Sequence, residues 1–170
     1  MTELAKTMDQ AVKAMAHREG KYLTFSLAGE EYGIGIRKVK EIIGMMAITT
    51  VPIIPPYFKG VINLRGKVIP VIDLRLKFGM EEIEYTDRTC IIVVELNTNA
   101  VNILMGIVVD AVSEVLNVKV DDIEDSPSFG ASMQTDYILG MAKAGNGVKI
   151  LLDIDKVMSE QEIATLDAAA

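Results

Sequence analysis

The run from Phe58 to Phe78 constrains the fold more than any other part of this sequence, because it predicts an antiparallel β-hairpin. Apolar and polar residues alternate from Ile62 to Arg65, which is the period of a half-buried strand. Gly66 and Lys67 follow, and glycine accepts the positive φ angle that a tight hairpin turn requires. We therefore expect Arg65 to lie at the rim of a sheet, held between two apolar strands.

Two details of this run limit its interpretation. Pro70 cannot donate a hydrogen bond to a ladder, so the second strand is predicted to be an edge strand or to contain a bulge. Gly60, Gly66 and Lys67 resemble a phosphate-binding loop, in which four residues separate the glycines and Ser or Thr follows the lysine. Here five residues separate the glycines and Val68 follows the lysine, so nucleotide binding is not predicted.

The rest of the chain shows similar short apolar runs, separated by turn signals. The predicted strands are residues 22–27, 32–36, 89–96, 103–109, 137–143 and 148–152. Turns are predicted at residues 29–31 and 144–147, and three prolines between residues 52 and 56 predict an irregular connection. Since no long helices alternate with these strands, the pattern predicts an all-β barrel or sandwich.

Short helices are expected at the two ends of the chain. Apolar residues at three- and four-residue spacing predict an amphipathic helix over residues 3–18, which could dock on the body or on a partner. Ser159 and Glu162 form a capping box that predicts a second helix reaching toward Leu166. We therefore divide the chain into a helical tail, residues 1–20, and a single domain, residues 21–167.

Composition excludes several classes of protein. Half of the 170 residues are hydrophobic, so the chain is expected to fold into a globular body. The net charge of −7 argues against nucleic-acid binding and against attraction to anionic membranes. No apolar run is long enough to cross a membrane. Cys90 is the only cysteine and is predicted to be a buried apolar residue, and a cytoplasmic location is expected.

The sequence contains no recognisable catalytic or metal-binding constellation. The only histidine, His17, lies in the predicted tail, so nucleophilic triads and histidine-rich metal sites have no place to form. The acidic run from Asp121 to Asp125 lacks the oxygen ligands and the glycine of a calcium loop, because Ile123 and Ser126 interrupt the pattern. We expect no enzymatic activity, no cofactor and no bound metal.

Apolar residues in a predicted loop indicate a surface for another protein. Met45 and Met46 lie beside Ile42, Ile43 and Ile48, and methionine suits adaptable interfaces as well as core filling. Both roles remain open for the two methionines. By elimination, the residues favour a protein-binding module.

Several segments resemble the CheW chemotaxis coupling proteins. They include the Gly-Glu-Glu-Tyr-Gly-Ile turn at residues 29–34, the run at 57–75 with Asn-Leu-Arg-Gly at its centre, and the Gly-Ile-Val-Val-Asp run at 106–110. The resemblance covers residues 22–166 and implies two interlocked five-stranded SH3-like β-barrels that share a hydrophobic core. It also implies a non-enzymatic adaptor that joins the cytoplasmic tips of methyl-accepting chemotaxis receptors to the regulatory domain of the histidine kinase CheA. Such a protein would be associated with the membrane-bound receptor arrays only through its protein partners.

The resemblance also implies two binding sites. A receptor-tip helix is expected in a groove between the barrels, formed by Val39, Glu41, Gly60, Arg65, Gly106 and Val112. The kinase contact is expected at the apolar loop of the first barrel, formed by Ile43, Met45, Met46 and Ile48.

One departure and two alternatives remain open. Residues 97–102 are expected to form a longer, more polar hairpin than is common in the family. A small-anion-binding β-barrel protein or enzyme that uses Arg65 is the alternative from a different class, and it would require a closed polar pocket. A regulatory domain detached from a larger kinase is the other, and the capped terminal helix argues against it.

Overall fold

A computed structural model describes residues 18–98, 101–125 and 136–169, and this part of the chain forms two β-sheets with short helices. The strands are β1 Gly20–Leu27, β2 Glu30–Gly35, β3 Val39–Gly44, β4 Phe58–Leu64, β5 Lys67–Asp73, β6 Cys90–Thr98, β7 Val101–Val109, β8 Ala111–Val118, β9 Ile123–Glu124, β10 Ile138–Ala144 and β11 Gly147–Leu152. The helices are α1 Leu74–Lys77, α2 Ile154–Val157 and α3 Glu160–Ala169, with 3₁₀ turns at Ile36–Lys38 and Val120–Asp122. The tail prediction falls on residues 1–17, outside the described residues.

The strands form two sheets that the chain interlocks. Sheet I has the order β8-β1-β2-β11-β10-β9 and sheet II has the order β3-β6-β7-β5-β4. Strands β1 and β2 pair with β8 and β11, both of which follow the strands of sheet II along the chain. All of sheet II therefore lies, in sequence, between the two parts of sheet I. The all-β prediction of two SH3-like barrels is confirmed, although the two-residue strand β9 adds a sixth strand to sheet I.

Three apolar clusters stabilise this arrangement. The shared core lies between the sheets and contains Phe25 and Ile34 from sheet I, Ile92 and Ile107 from sheet II, and Leu166 from α3. The outer face of sheet II covers a second core, which includes Ile62, Ile69, Val71, Ile91 and Val93. Sheet I covers a third, which includes Tyr22, Ile123, Ala142 and Leu151. Each sheet therefore has a core of its own and half of a common one.

The two sheets repeat one pattern. Strands β6, β7, β5 and β4 take the places in sheet II that β1, β2, β11 and β10 take in sheet I. The hairpins β4–β5 and β10–β11 correspond residue by residue, 80 positions apart. In both, an aspartate at the end of the second strand, Asp73 or Asp153, caps the following helix. Its N–H also donates to a tyrosine carbonyl, that of Tyr57 at 2.7 Å or Tyr137 at 2.8 Å.

Two details of the β4–β5 prediction were wrong. Arg65 and Gly66 form the turn, one residue earlier than predicted, with φ angles of 52° and 85°. Strand β5 is not an edge strand, because β4 and β7 pair with its two sides, and the bulge in its ladder with β4 lies at Lys59 on β4 rather than at Pro70. Pairing with β7 covers only Val71 to Asp73, so Pro70 lies beyond the end of that ladder and its missing N–H costs no bond there.

Strand β8 was not predicted, and a bulge explains why. Leu23 pairs with Val115 and Phe25 with Val112, so two residues of β8 lie opposite the buried Thr24. The Thr24 hydroxyl donates to the Glu114 carbonyl at 2.9 Å and accepts from the Glu114 N–H at 3.1 Å. The extra residue interrupts the alternation that would mark a strand in the sequence.

Other predictions had mixed outcomes. The strand pairing between β6 and β7 continues to Thr98 and Val101, so the expected longer hairpin at residues 97–102 was wrong. Cys90 is only partly buried, and its thiol donates to the Arg88 carbonyl at 3.3 Å. The capping box is confirmed, since the Ser159 N–H donates to Glu162 at 2.9 Å and the Glu162 N–H donates back to the Ser159 hydroxyl at 3.1 Å. The division at residue 20 stays a prediction.

Candidate protein-binding surfaces

The β4–β5 turn presents Arg65 to solvent on a rigid mount. The Gly66 N–H donates to the Asn63 side-chain oxygen at 2.8 Å, which fixes the turn. The Arg65 side chain is 71% exposed, as the hairpin pattern predicted. Its φ of 52° lies in the left-handed region, which favours Gly and Asn over Arg.

Arg65 forms a two-point ion pair with Glu41 on the edge strand β3. Its Nη1 donates to Oε2 at 2.8 Å, and its Nη2 donates to Oε1. This hydrogen bonding lowers the pKa of Glu41 and raises the pKa of Arg65. Two residues that the family resemblance assigned to one binding site are therefore already paired, and a partner would either compete for one of these groups or bind both together.

Glu41 begins a row that crosses sheet II. Glu41 pairs with Val93, Val93 with Gly106, Gly106 with Val71, and Val71 with Gly60. Both glycines are buried. A Cβ on Gly106 would lie 2.8 Å from the Ile91 side chain, and one on Gly60 would overlap the Thr49 carbonyl oxygen. Gly60 and Gly106 thus allow close packing beneath the surface that carries Glu41.

Val39 and Val112 lie elsewhere, at the margin of the shared core. Each is partly buried against that core, Val39 at the start of the edge strand β3 and Val112 on the edge strand β8. Strand β3 connects this margin to the Arg65–Glu41 pair, because Val39 and Glu41 flank a bulge at Lys40. The six residues assigned to the receptor site therefore fall into two sets. Two valines lie at the margin of the shared core, and the Arg65–Glu41 pair lies with the two buried glycines on sheet II; β3 carries both Val39 and Glu41.

The four residues assigned to the kinase site lie together. Ile43, Met45, Met46 and Ile48 are all partly buried and pack against the second core. Both roles considered for the methionines thus have a structural basis, since these side chains cover a core and keep some exposed surface. The adjacent Ile42 is 44% exposed on β3.

The sequence analysis did not single out several exposed apolar residues, among them Ile53 and Val115. Ile53 is fully exposed in the proline-rich loop after β3, and its φ of 58° is unusual for a β-branched residue. Val115 is 52% exposed on β8, near Val112. The apolar character of the segment Val51 to Ile54 was a signal for the first, whereas the bulge in β8 concealed the second.

A cleft of about 570 Å³ opens beside the Arg65–Glu41 pair. It is lined by charged residues at its rim and by side chains of the second core at its floor, namely Lys40, Glu41, Leu64, Arg65, Lys67, Ile69, Val93, Glu95 and Leu104. Glu41 already engages Arg65, and Glu95 contacts Lys40 at 3.0 Å. A small anion bound through Arg65 would have to displace the Glu41 carboxylate, which disfavours the anion-binding alternative.

Within residues 18–98, 101–125 and 136–169, no cluster of three or more His, Cys, Asp or Glu side chains is placed to hold a metal ion. No helix in this part of the chain has the length and apolar character needed to span a membrane.

Comparison with known proteins links this geometry to one family. The model of the CheW-like domain matches residues 21–162. The chain is 41% identical to the chemotaxis protein CheW of Klebsiella aerogenes over 88% of each chain. It is 37% identical to the chemotaxis protein CheW of Bacillus subtilis, over 83% of this chain and 88% of that one. The crystal structure of the scaffolding protein TtCheW from Thermoanaerobacter tengcongensis superimposes with a TM-score of 0.71 at 35% identity, covering 82% of this chain and 92% of that chain.

Proposed function

The chain belongs to the family of CheW-like domains and is a non-enzymatic scaffold protein of chemotaxis, and we propose that it couples chemoreceptor tips to the histidine kinase CheA. It would do so in the cytoplasm, beneath the membrane-bound receptors, through protein contacts alone. The observation that carries this proposal is the Arg65–Glu41 pair, an exposed charged group on a rigid turn that strand β3 connects to an apolar margin.

A receptor tip is a helical hairpin, and the two valines and the Arg65–Glu41 pair suit one of its helices. An amphipathic helix binds by laying apolar side chains along a groove, with polar contacts that fix its register. Val39 and Val112 offer apolar area at the margin of the shared core. Arg65 and Glu41, which strand β3 connects to Val39, offer a donor and an acceptor, so they would set orientation and specificity more than total affinity.

The kinase would contact the partly exposed residues that pack against the second core. Ile43, Met45, Met46 and Ile48 provide an apolar surface, and methionine adapts readily to a partner's shape. Along β3, Glu41 and Ile43 point to the same face of sheet II, two residues apart. The two proposed surfaces therefore share one strand, and a displacement of β3 at the receptor site would reach the kinase site directly.

Reversing the charge of Arg65 tests the receptor surface. Arg65→Asp should leave the fold intact because the side chain is exposed, yet place two carboxylates together where an ion pair was. We expect receptor-tip binding and receptor-dependent kinase activation to fall about tenfold or more. The measurement is kinase activity in a reconstituted mixture of receptor tips, CheA and this protein.

A matched control uses the corresponding hairpin of sheet I. Lys143 is about half exposed and pairs with Glu124 at 3.1 Å, so Lys143→Asp also reverses one partner of a surface ion pair. This variant should activate the kinase like the unmodified protein. Normal activation by Arg65→Asp would remove Arg65 from the receptor site.

A further inference from the structure

Two partly buried ion pairs connect the sheets at points that the internal repeat makes equivalent. The first joins Arg75 of α1 to Asp110, the residue that links β7 of sheet II to β8 of sheet I. Arg75 Nε and Nη2 donate to the two Asp110 oxygens at 2.7 and 2.9 Å. Asp110 also accepts from the N–H of Ala28, in the β1–β2 turn of sheet I, at 2.9 Å.

The second pair joins Asp155 of α2 to Lys38, in the segment that links β2 of sheet I to β3 of sheet II. The Lys38 ammonium lies 2.6 Å from the Asp155 carboxylate. The other Asp155 oxygen accepts from the N–H of Asn97, near the end of β6 in sheet II, at 3.0 Å. Each of the two side chains is 25% exposed.

Both ion pairs join a residue of a short helix to a residue of a linker between the sheets, but the charges of the two positions are exchanged. Arg75 and Asp155 are 80 residues apart, like the other matched positions of the two hairpins, and each lies two residues after the aspartate that caps its helix. In both pairs, the partner is a residue of the linker between sheets, and the carboxylate also accepts an N–H from the opposite sheet. The basic residue is on the helix in the first pair (Arg75) and on the linker in the second (Lys38).

Each linker leads directly to one valine of the receptor site. Lys38 precedes Val39, which pairs with Val94 of β6. Asp110 precedes Ala111 and then Val112, which pairs with Phe25 of β1. Since β6 and β1 are equivalent strands, Val39 and Val112 occupy matched positions at the two places where the chain crosses between sheets.

We propose that Lys38–Asp155 and Arg75–Asp110 form a two-point clasp that sets the spacing of Val39 and Val112 and thereby shapes the receptor groove. Lys38, Asp155, Arg75 and Asp110 are positioning residues in this proposal, which rests on the proposed function of the two valines. Arg75 binds Asp110 through two nitrogens, and the Asp110 N–H also donates to the Ser26 carbonyl at 3.1 Å. Lys38 has only one contact with Asp155, so the Lys38 side is the weaker point of the clasp.

The test measures the distance between the sheets directly. Val68 and Val148 are matched positions on the two hairpins and are 48% and 51% exposed, so both accept spin labels after mutation to cysteine. Cys90→Ala removes the only native thiol from the labelled protein. Pulsed electron paramagnetic resonance should give one narrow distance distribution for this background.

Variants of Lys38 should change that distribution in a defined order. Lys38→Glu places two carboxylates together and should broaden or shift the distance, whereas Lys38→Arg should keep it. Adding Asp155→Asn to Lys38→Glu removes the repulsion and keeps an oxygen for the Asn97 N–H, so the narrow distribution should return. Lys40→Glu, which breaks the Lys40–Glu95 pair within sheet II, should leave the distance unchanged. If Lys38→Glu does not fold, Lys38→Met takes its place in the same distance measurement, because it removes the ammonium of the ion pair without adding a carboxylate next to Asp155.

A kinase assay with the same variants separates positioning from stability alone. Receptor-dependent activation should fall several-fold for Lys38→Glu, at saturating folded protein, and recover in the double variant and in Lys38→Arg. An unchanged distance in Lys38→Glu would overturn the clasp, and so would a changed distance with full activation. Arg65→Asp leaves both ion pairs of the clasp intact. Normal activation by this variant in the same assay would therefore mean that the proposed receptor site is wrong, independently of the clasp.

Discussion

At the scale of single residues, Arg65 holds a backbone conformation that its own chemistry does not favour. Its φ of 52° matches the φ of 59° at Gly145, the corresponding position of the other hairpin. Glycine adopts this conformation without steric cost, whereas arginine does not. The turn geometry is therefore common to both hairpins. Since glycine would suit this turn better, the stability of the fold does not explain why residue 65 is an arginine. Such a residue is a reasonable place to look for function.

The buried glycines beneath the Arg65–Glu41 pair should act through packing. Gly106→Ala would bring a methyl group to 2.8 Å from Ile91 and 3.3 Å from Val71, both inside the second core. We expect a loss of about 1–3 kcal/mol in the free energy of unfolding, measured by urea denaturation. Gly44→Ala is the control, because a Cβ there meets nothing within 4 Å. Equal stability of the two variants would mean that Gly106 has no packing role.

At the scale of elements, Glu162 joins α3 to sheet II. Burial alone would raise its pKa, but the Lys77 ammonium, the Ser159 N–H and the Tyr57 hydroxyl hold it at about 2, below the ordinary 4.5. Tyr57 and Lys77 donate to one carboxylate oxygen at 2.7 and 2.8 Å. The ionised form is thus favoured in the folded protein, which ties the end of the chain to the sheet that carries the proposed binding surfaces.

This shift makes the attachment of α3 dependent on pH. A folded pKa below the unfolded one gives stability that is present above about pH 5 and is lost as pH falls toward 2. Glu162→Gln should cost about 2 kcal/mol at neutral pH, allowing for the 26% of the side chain that water reaches, and progressively less as pH falls through this window. Urea denaturation at several pH values measures it, with Tyr57→Phe as an intermediate variant. A difference that does not shrink with pH would exclude a charge-based attachment.

The elements differ in how far sequence could predict them. Hairpins with glycine turns and alternating apolar residues, such as β4–β5 and β10–β11, were found because every cue is local. Strand β8 was missed because its bulge depends on Thr24, a residue 90 positions from Glu114. Helices α1 and α2 are four residues long and depend on an aspartate cap at a strand end, too short for a periodic pattern. The Arg65–Glu41 pairing also needed the fold, because β3 and the β4–β5 turn meet only in three dimensions.

At the scale of the whole molecule, the two sheets should unfold as one unit. Sheet I closes only when β2 and β11 pair in parallel, from opposite ends of the described chain, and the shared core takes residues from both sheets. Neither sheet can lose its half of that core without exposing the other half to water. The interlocked topology thus predicts cooperative unfolding, despite the presence of two barrels.

Amide hydrogen exchange can test this cooperativity residue by residue. Ile107 on β7 and Leu152 on β11 are both buried and lie in the equivalent parallel ladders of sheets II and I. Their amides should exchange with opening free energies that agree within about 1 kcal/mol and match the global free energy of unfolding. Gly106→Ala, which strains only sheet II, should lower both values together. If it lowers only that of Ile107, the sheets open independently, and small shifts at the receptor surface would not have to pass through a common core.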